Sequence, residues 1–291
     1  MNRLCLGLAI TLFVGCCPVS PGAIRAKERI EERYTIEVLF DEADLRGSFV
    51  TGKGAYSEVL DGFFPLLEAE LGRYPNDIFL KADVRTILLG HHIRMGGQRV
   101  GGLAGNGEIY LTLPLSAGAC HQAASTIHHE VFHTLEQANK KLIADGWTAL
   151  NPQGFSYRSV DWWKEATPAG FVSRYATSNE KEDRAETFAE MVVSGFALQK
   201  WMGQNRVLRA KVTYLKQKLE QVDPMMGKRF WDGIAQAGSF LEPGGACGVY
   251  ERGETATKGP LCRCAREPQL CVLGAVLSLG LLWGLWRVVI R

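Results

Sequence analysis

The sequence predicts an α+β fold organised around one buried helix, and three observations carry that prediction. Thr35–Phe40, Val84–Leu89 and Glu108–Leu113 are short runs rich in β-branched or alternating residues, and they read as strands. Tyr56–Leu71 sets Val59, Leu60, Phe63, Leu66, Leu67 and Leu71 at helical spacing, with Gly72 to end it. Thr126–Glu136 embeds His129-Glu130-Val131-Phe132-His133 among Ala123, Ile127, Val131, Phe132 and Leu135, the apolar wrapping of a buried helix. Helix, strand, strand and then the buried helix is an α+β order.

The chain opens with one charge, Arg3, followed by the uncharged run Leu4–Val14. That pairing is the n-region and h-region of a signal peptide, too short for an ordinary spanning helix. Residues 1–23 are therefore read as an export leader, cleaved near Ala23. Gly15-Cys16 also resembles the end of a bacterial lipobox, which makes lipidation at Cys16 an alternative. The body is expected over residues 24–240, followed by a Pro-, Gly- and charge-rich linker over 241–269 and a tail over 270–291.

Within the body, Ile24–Tyr34 is charged and reads as helical or loose. His91 and His92 follow the second strand and read as surface or turn residues, with contact to substrate as the alternative. Met95–Gly107 holds six glycines and reads as a flexible loop. It shows no phosphate-binding fingerprint opening a helix, so no nucleotide is assigned. Glu108–Leu113, stopped by Pro114, lies just before the buried helix. As an edge strand it can pair with an extended peptide; as an inner strand it only builds the sheet.

Beyond Lys141, the stretch from Gly146 to Tyr157 mixes aromatic residues with turn formers and reads as a packed loop, one wall of a cleft. Asn179 suits an N-cap, and from it a helix is expected to run to about Leu198. Its apolar stripe is Ala185, Phe188, Ala189, Val192, Val193 and Phe196. Lys211–Val222 and Pro224–Ala235 also read as helices.

The tail run Leu270–Trp286 is seventeen residues without a charge, followed by Arg287 and Arg291. Trp283 and Trp286 suit a membrane interface, and terminal arginines suit the cytoplasmic side of a span. Cysteine, apolar run and terminal arginine also resemble a bacterial sorting tail that is removed after export. Either way the body is expected outside the cytoplasm, at the cell envelope or released from it.

Composition narrows the function classes. The 291 residues are 46% hydrophobic and 22% charged, an ordinary globular balance. A net charge of +2 without a long basic run gives no case for a nucleic-acid partner. Cys5, Cys16 and Cys17 lie in the leader, Cys247, Cys262, Cys264 and Cys271 near the C-terminus, and Cys120 in the body. This is no dense disulfide framework, and Cys262-Arg263-Cys264 is too close a pair for a zinc knuckle.

The chemistry rests on His129–His133. Residues four apart share a helix face, so two imidazoles there reach one metal ion. Glu130 then stands beside a metal-bound water, whose pKa zinc lowers to about 7. The pattern implies zinc-dependent hydrolysis of a protein or peptide substrate, with Glu130 as general base. A catalytic zinc takes three protein ligands and keeps one position open. All six histidines lie at or before His133, so a downstream histidine is excluded and the third ligand is a carboxylate. The stretch Tyr175–Glu190 is rich in carboxylates.

That stretch also carries a resemblance. Together with His129–His133, Tyr175 followed by Asn179-Glu180-Lys181-Glu182-Asp183-Arg184-Ala185-Glu186-Thr187-Phe188 resembles the lethal-factor-like zinc peptidases. These include anthrax lethal factor and the Pro-Pro endopeptidases and belong among the gluzincins. Trp147, Asn151-Pro152, Phe155 and Tyr157 are similar to related bacterial sequences. The likeness is good over Gly107–Leu198 and weak elsewhere. It implies a zincin-like, two-lobed metallopeptidase domain: a small mixed sheet with the active-site helix, then a mostly helical lobe. It implies Glu182 as third zinc ligand, Tyr175 as hydrogen-bond donor to the oxyanion, and Glu186 as the group holding a ligand histidine. Asp183 and Arg184 stand where the anthrax toxin carries aromatic residues, so packing there is expected to differ.

Helix geometry supports the same glutamate. At roughly 100° per residue, with Glu182 at zero, the apolar stripe spans roughly 140° and includes it. Glu186 falls about 40° away, just past the Val193 edge, and Glu190 about 80° away toward solvent. A reading from another class is a peptidase fold kept without catalysis, as a binding or adhesion module at the envelope. A third, an anchored structural protein with a chance motif, is opposed by the carboxylate helix.

Overall fold

The computed structural model describes residues 18–46, 50–113, 120–157 and 167–236. The leader's first seventeen residues with Cys16, the 241–269 linker and the 270–291 tail lie outside the described residues. Among the described residues, no helix is long and apolar enough to cross a membrane.

Helix α1 spans Pro21–Tyr34. Ser20 caps it, accepting from the Ala23 amide, and the Ser20 amide donates to Asp61 at 2.6 Å. Proline in the first turn is preset for a helix. Ala23, Ala26, Ile30 and Tyr34 fall on one face and are buried. The helix therefore starts ahead of the expected boundary, and a cut at Ala23 falls inside its first turn. The leader signal is a matter of charge and hydropathy, whereas the helix start is set by the Ser-Pro pair.

Six strands form one sheet among the described residues: β1 Glu37–Leu39, β2 Val50–Gly54, β3 Thr86–Met95, β4 Gln98–Arg99, β5 Gly102–Gly105 and β6 Glu108–Thr112. Central β3 runs parallel to β1 and β6 and antiparallel to β2 and β4. β5 pairs antiparallel with the far side of β6. Ile87, Leu89, Ile109 and Leu111 alternate into the main core, while Leu88 and Ile93 join Leu45 in a smaller cluster.

Three expectations are corrected here. β3 does not stop before His91 and His92 but runs through them, with a register shift in β2 between Thr51 and Lys53. His91 is buried, 4.4 Å from the Tyr56 ring and accepting from the Tyr56 amide at Nε2. The glycine-rich segment is not a loop but carries β4 and β5. Its glycines turn two hairpins, with Gly96 and Gly97 at φ 55° and 84° and Asn106 and Gly107 at 55° and 83°. Consecutive positive φ values are those of a type I′ turn, which Asn-Gly favours. β6 consequently lies inside the sheet, and on its side the outermost strand among the described residues is β5.

The remaining helices are α2 Ser57–Leu71, α3 Ile78–Lys81, α4 Cys120–Ala138, α5 Lys140–Ile143, α6 Glu180–Val193, α7 Gly195–Gln204, α8 Arg206–Val222 and α9 Lys228–Gln236. α4 packs between the sheet and α6, and Phe132 meets Phe188 with ring centres 5.1 Å apart. The helix expected to reach Leu198 breaks at Ser194-Gly195, where glycine supports a helix poorly. Leu198 still turns inward at 2% exposed, but Phe196 leaves the stripe and is 77% exposed.

Behind α6 sits a buried ionic cluster. Asp183 accepts from Trp147 Nε1 at 2.9 Å, Tyr157 Oη at 2.7 Å and Lys211 Nζ at 2.7 Å. Asp183, Lys211 and Trp147 are all fully enclosed. Burial pushes the Asp183 carboxyl up and the Lys211 ammonium down, and each opposes the other's shift by attraction. Arg184, also buried, is paired with Glu136 of α4. The Gly146–Tyr157 loop is thus packed as expected, tied to α6 by charge. Asp183→Ala leaves Lys211 charged and enclosed without its partner, so urea unfolding is expected to show a loss of about 3–5 kcal/mol. A loss under about 1 kcal/mol, the scale of an exposed pair, contradicts this account.

Candidate metal centre

Helix α4 presents His129, Glu130 and His133 toward the first turn of α6. Asn179 fixes that turn by accepting from the Lys181 and Glu182 amides at 2.9 and 3.1 Å. Glu182 Oε2 lies 3.0 Å from His129 Nε2 and 3.4 Å from His133 Nε2. The two imidazole nitrogens are 3.0 Å apart. Ligand atoms of these three residues all fall within 4.8 Å of one another. The structure therefore brings together the residues expected to converge, and Glu190 is not among them.

The donor set identifies what belongs between them. His129 Nδ1 lies 2.8 Å from Glu186 Oε1, and a carboxylate only accepts, so Nδ1 carries the hydrogen. Nε2 of a neutral His129 then holds a lone pair. Oε2 of Glu182 is buried and is an acceptor as well. Two acceptors, His129 Nε2 and Glu182 Oε2, so face one another at 3.0 Å and call for a hydrogen or a cation between them, with His133 Nε2 alongside. A proton can serve: burial opposes a charged His129, but Glu182 and Glu186 outweigh it and pull the ring's pKa up to about 10. Burial likewise opposes ionisation of Glu182, and the two imidazoles overcome it, holding its carboxyl well below the usual range. A divalent metal satisfies the same three atoms.

Glu130 is 5% exposed, and burial pushes its carboxyl up to about 7. It lies against the edge strand. A Cβ placed on Gly102 of β5 would stand 2.5 Å from Glu130 Oε1 and 2.6 Å from its Cγ. Tyr175 begins a 3-10 turn, Tyr175–Thr177, with its ring 6.1 Å from that of His129. Burial first, then the Glu182, Glu130 and Glu186 carboxylates, raise its phenol well above the ordinary value, so it stays protonated.

Sequence reasoning missed several residues here. Gly102 was one glycine among six, and only pairing of β5 with β6 sets it against Glu130. Ser173 donates to Glu186 Oε2 at 2.6 Å, and no motif marks it. His128, next to His129 in the chain, points away from the centre. Tyr74 Oη sits 2.6 Å from its Nδ1, and its Nε2 lies 2.9 Å from Glu70. Burial lowers its pKa, so the ring is neutral, accepting from Tyr74 and donating to Glu70. Glu70 also holds Arg73 at 2.7 Å, and Arg73 reaches the Val192 carbonyl of α6.

The chain is similar to a described family and to a solved structure. Residues 96–231 match the model of a family described as "Putative zinc-binding metallo-peptidase". The matched segment contains both α4 and α6. The fold is similar to the crystal structure of a protein of the same description from Bacteroides caccae, at 17% identity and a TM-score of 0.51. The similarity covers 75% of this chain and 93% of that one. No curated protein matches the chain. The cofactor is zinc, as the family description has it, and two imidazoles with one carboxylate are donors that suit that ion.

Gly102→Ala forces the Glu130 side chain aside while leaving the three ligand residues in place. The expected result is full zinc content by metal analysis, with peptide turnover reduced about a hundredfold. Loss of zinc, or unchanged turnover, contradicts the close approach.

Proposed function

We propose that the chain is an exported zinc endopeptidase of the lethal-factor-like, gluzincin type, acting on protein or peptide substrates. The observation that carries this reading is the convergence of His129 Nε2, His133 Nε2 and Glu182 Oε2 beside the buried carboxylate of Glu130. The domain is two-lobed, with the sheet, α2 and α4 on one side of the cleft and α6–α9 on the other.

His129, His133 and Glu182 would hold the metal. Zinc there would supply a Lewis acid, able to bring the pKa of a water to about 7. Glu130 would serve as the base that takes a proton from the attacking water and as the acid that delivers it to the leaving amine. Tyr175 donates its phenolic hydrogen to the oxyanion as the carbonyl becomes tetrahedral. Glu186 keeps the His129 ring turned with Nε2 toward the metal. The free edge of β5, next to Glu130, offers backbone groups to an extended substrate.

Export is supported by the leader composition and by Cys120, which is disulfide-bonded. Such bonds persist in oxidising compartments. The uncharged run Leu270–Trp286 anchors the protein with its catalytic domain outside the cytoplasm, unless the tail is removed.

Glu130→Gln is expected to keep about one zinc per chain and to lose peptide hydrolysis at least about a hundredfold. Among the glutamates, Glu182→Ala loses most metal, Glu186→Ala weakens binding about 10- to 100-fold, and Glu190→Ala leaves it unchanged. Metal content of the purified variants, at equal folding by circular dichroism, decides between them. Zinc lost from Glu186→Ala but kept by Glu182→Ala overturns the ligand assignment.

The tail is tested by membrane fractionation. Full-length protein is expected in the membrane fraction and a chain truncated after Gln269 in the soluble one. Equal solubility of the two overturns the anchor.

A further inference from the structure

We infer that Ser173 is a positioning residue that locks the metal-binding imidazole and the Tyr175 turn into one fixed relation. The inference rests on the reading of His129 as a zinc ligand. A serine hydroxyl has one hydrogen to give and lone pairs to accept. Ser173 gives its hydrogen to Glu186 Oε2 at 2.6 Å. It accepts the Ala176 amide at 3.1 Å. The opposite oxygen of Glu186 holds His129 Nδ1 at 2.8 Å.

Each bond has a separate consequence. With both oxygens engaged, the Glu186 carboxylate cannot swing about its terminal bond, a broad and soft rotation otherwise. That side chain is 21% exposed, so packing alone does not hold it. The bond to Ala176 closes a short loop whose interior residues are Arg174 and Tyr175. One hydroxyl thus sets the direction of the His129 lone pair and the place of the Tyr175 ring. The two arms come from different elements, α6 and the turn before it, and within the described residues Ser173 bonds to both.

The test is zinc affinity of the full chain, measured by competition with a chelating dye, together with steady-state peptide hydrolysis. Ser173→Ala is expected to bind zinc about tenfold more weakly, the lower end for loss of a ligand's outer partner. Its kcat falls with KM nearly unchanged, because the displaced Tyr175 acts only in the transition state. Ser173→Thr keeps the hydroxyl and restores both values. Ser173→Val, of the same shape without it, behaves as alanine. Combining Ser173→Ala with Glu186→Ala weakens zinc no further than Glu186→Ala alone, since Ser173 acts through Glu186. Should Ser173→Ala and Ser173→Val lower only the unfolding temperature, with zinc affinity and kcat at wild-type values, the positioning role is overturned. Wild-type protein that holds no zinc overturns the metal reading, and Ser173's role with it.

Discussion

Two imidazole nitrogens and one carboxylate oxygen converging on a single point are what the rest of the structure has to hold in place. Nε2 of His129, Nε2 of His133 and Oε2 of Glu182 lie within hydrogen-bonding range, and the Glu186 contact leaves Nε2 of a neutral His129 a lone pair that faces the Glu182 oxygen. Facing lone pairs repel until a proton or a metal cation enters, so the chain must keep the arrangement against that repulsion. Rigid placement of α4 against α6 is therefore the central structural requirement, and the contact of Phe132 with Phe188 meets part of it.

Buried charge supplies the rest. On one flank, Asp183 and Lys211 join α6 to α8 and collect the loop through Trp147 and Tyr157. Arg184 ties α6 back to Glu136 on α4. On the other flank, Glu70, Arg73, Tyr74 and His128 join α2, α4 and the end of α6. Breaking an enclosed pair is costly because one charge is left behind, which makes these clusters stiff. Stiff support is what a metal site needs, since ligand affinity depends on groups that orient the ligands. The centre sits between two such clusters, and Ser173 adds a third restraint on its exposed side.

The sheet contributes an edge and a close approach. Two type I′ hairpins fold the glycine-rich segment back so that β5 becomes the outermost strand. Gly102 then passes so near Glu130 that a side chain there would collide with it. Among the described residues β5 pairs only with β6, so the same strand lies against the Glu130 carboxylate and leaves its outer edge unpaired.

The sequence by itself determined the parts governed by local spacing. His129, Glu130 and His133 share a helix because they lie within one turn, and Asn179 caps the next helix because its side chain reaches amides two and three residues on. With no histidine downstream a carboxylate was left to complete the set; the resemblance implied Glu182, and helical phase supported it. Asn106-Gly107 was also a readable hairpin signal, overlooked inside a glycine-rich run. Only the tertiary structure decided which strand was the edge, that His91 is enclosed, and that His128 serves a different cluster from its neighbour. It alone set Gly102 against Glu130 and Ser173 against Glu186. Those relations join residues far apart in the chain or on different elements, and they depend on how sheets and helices pack. No local periodicity encodes such packing, because the same residues in the same order fit more than one strand order.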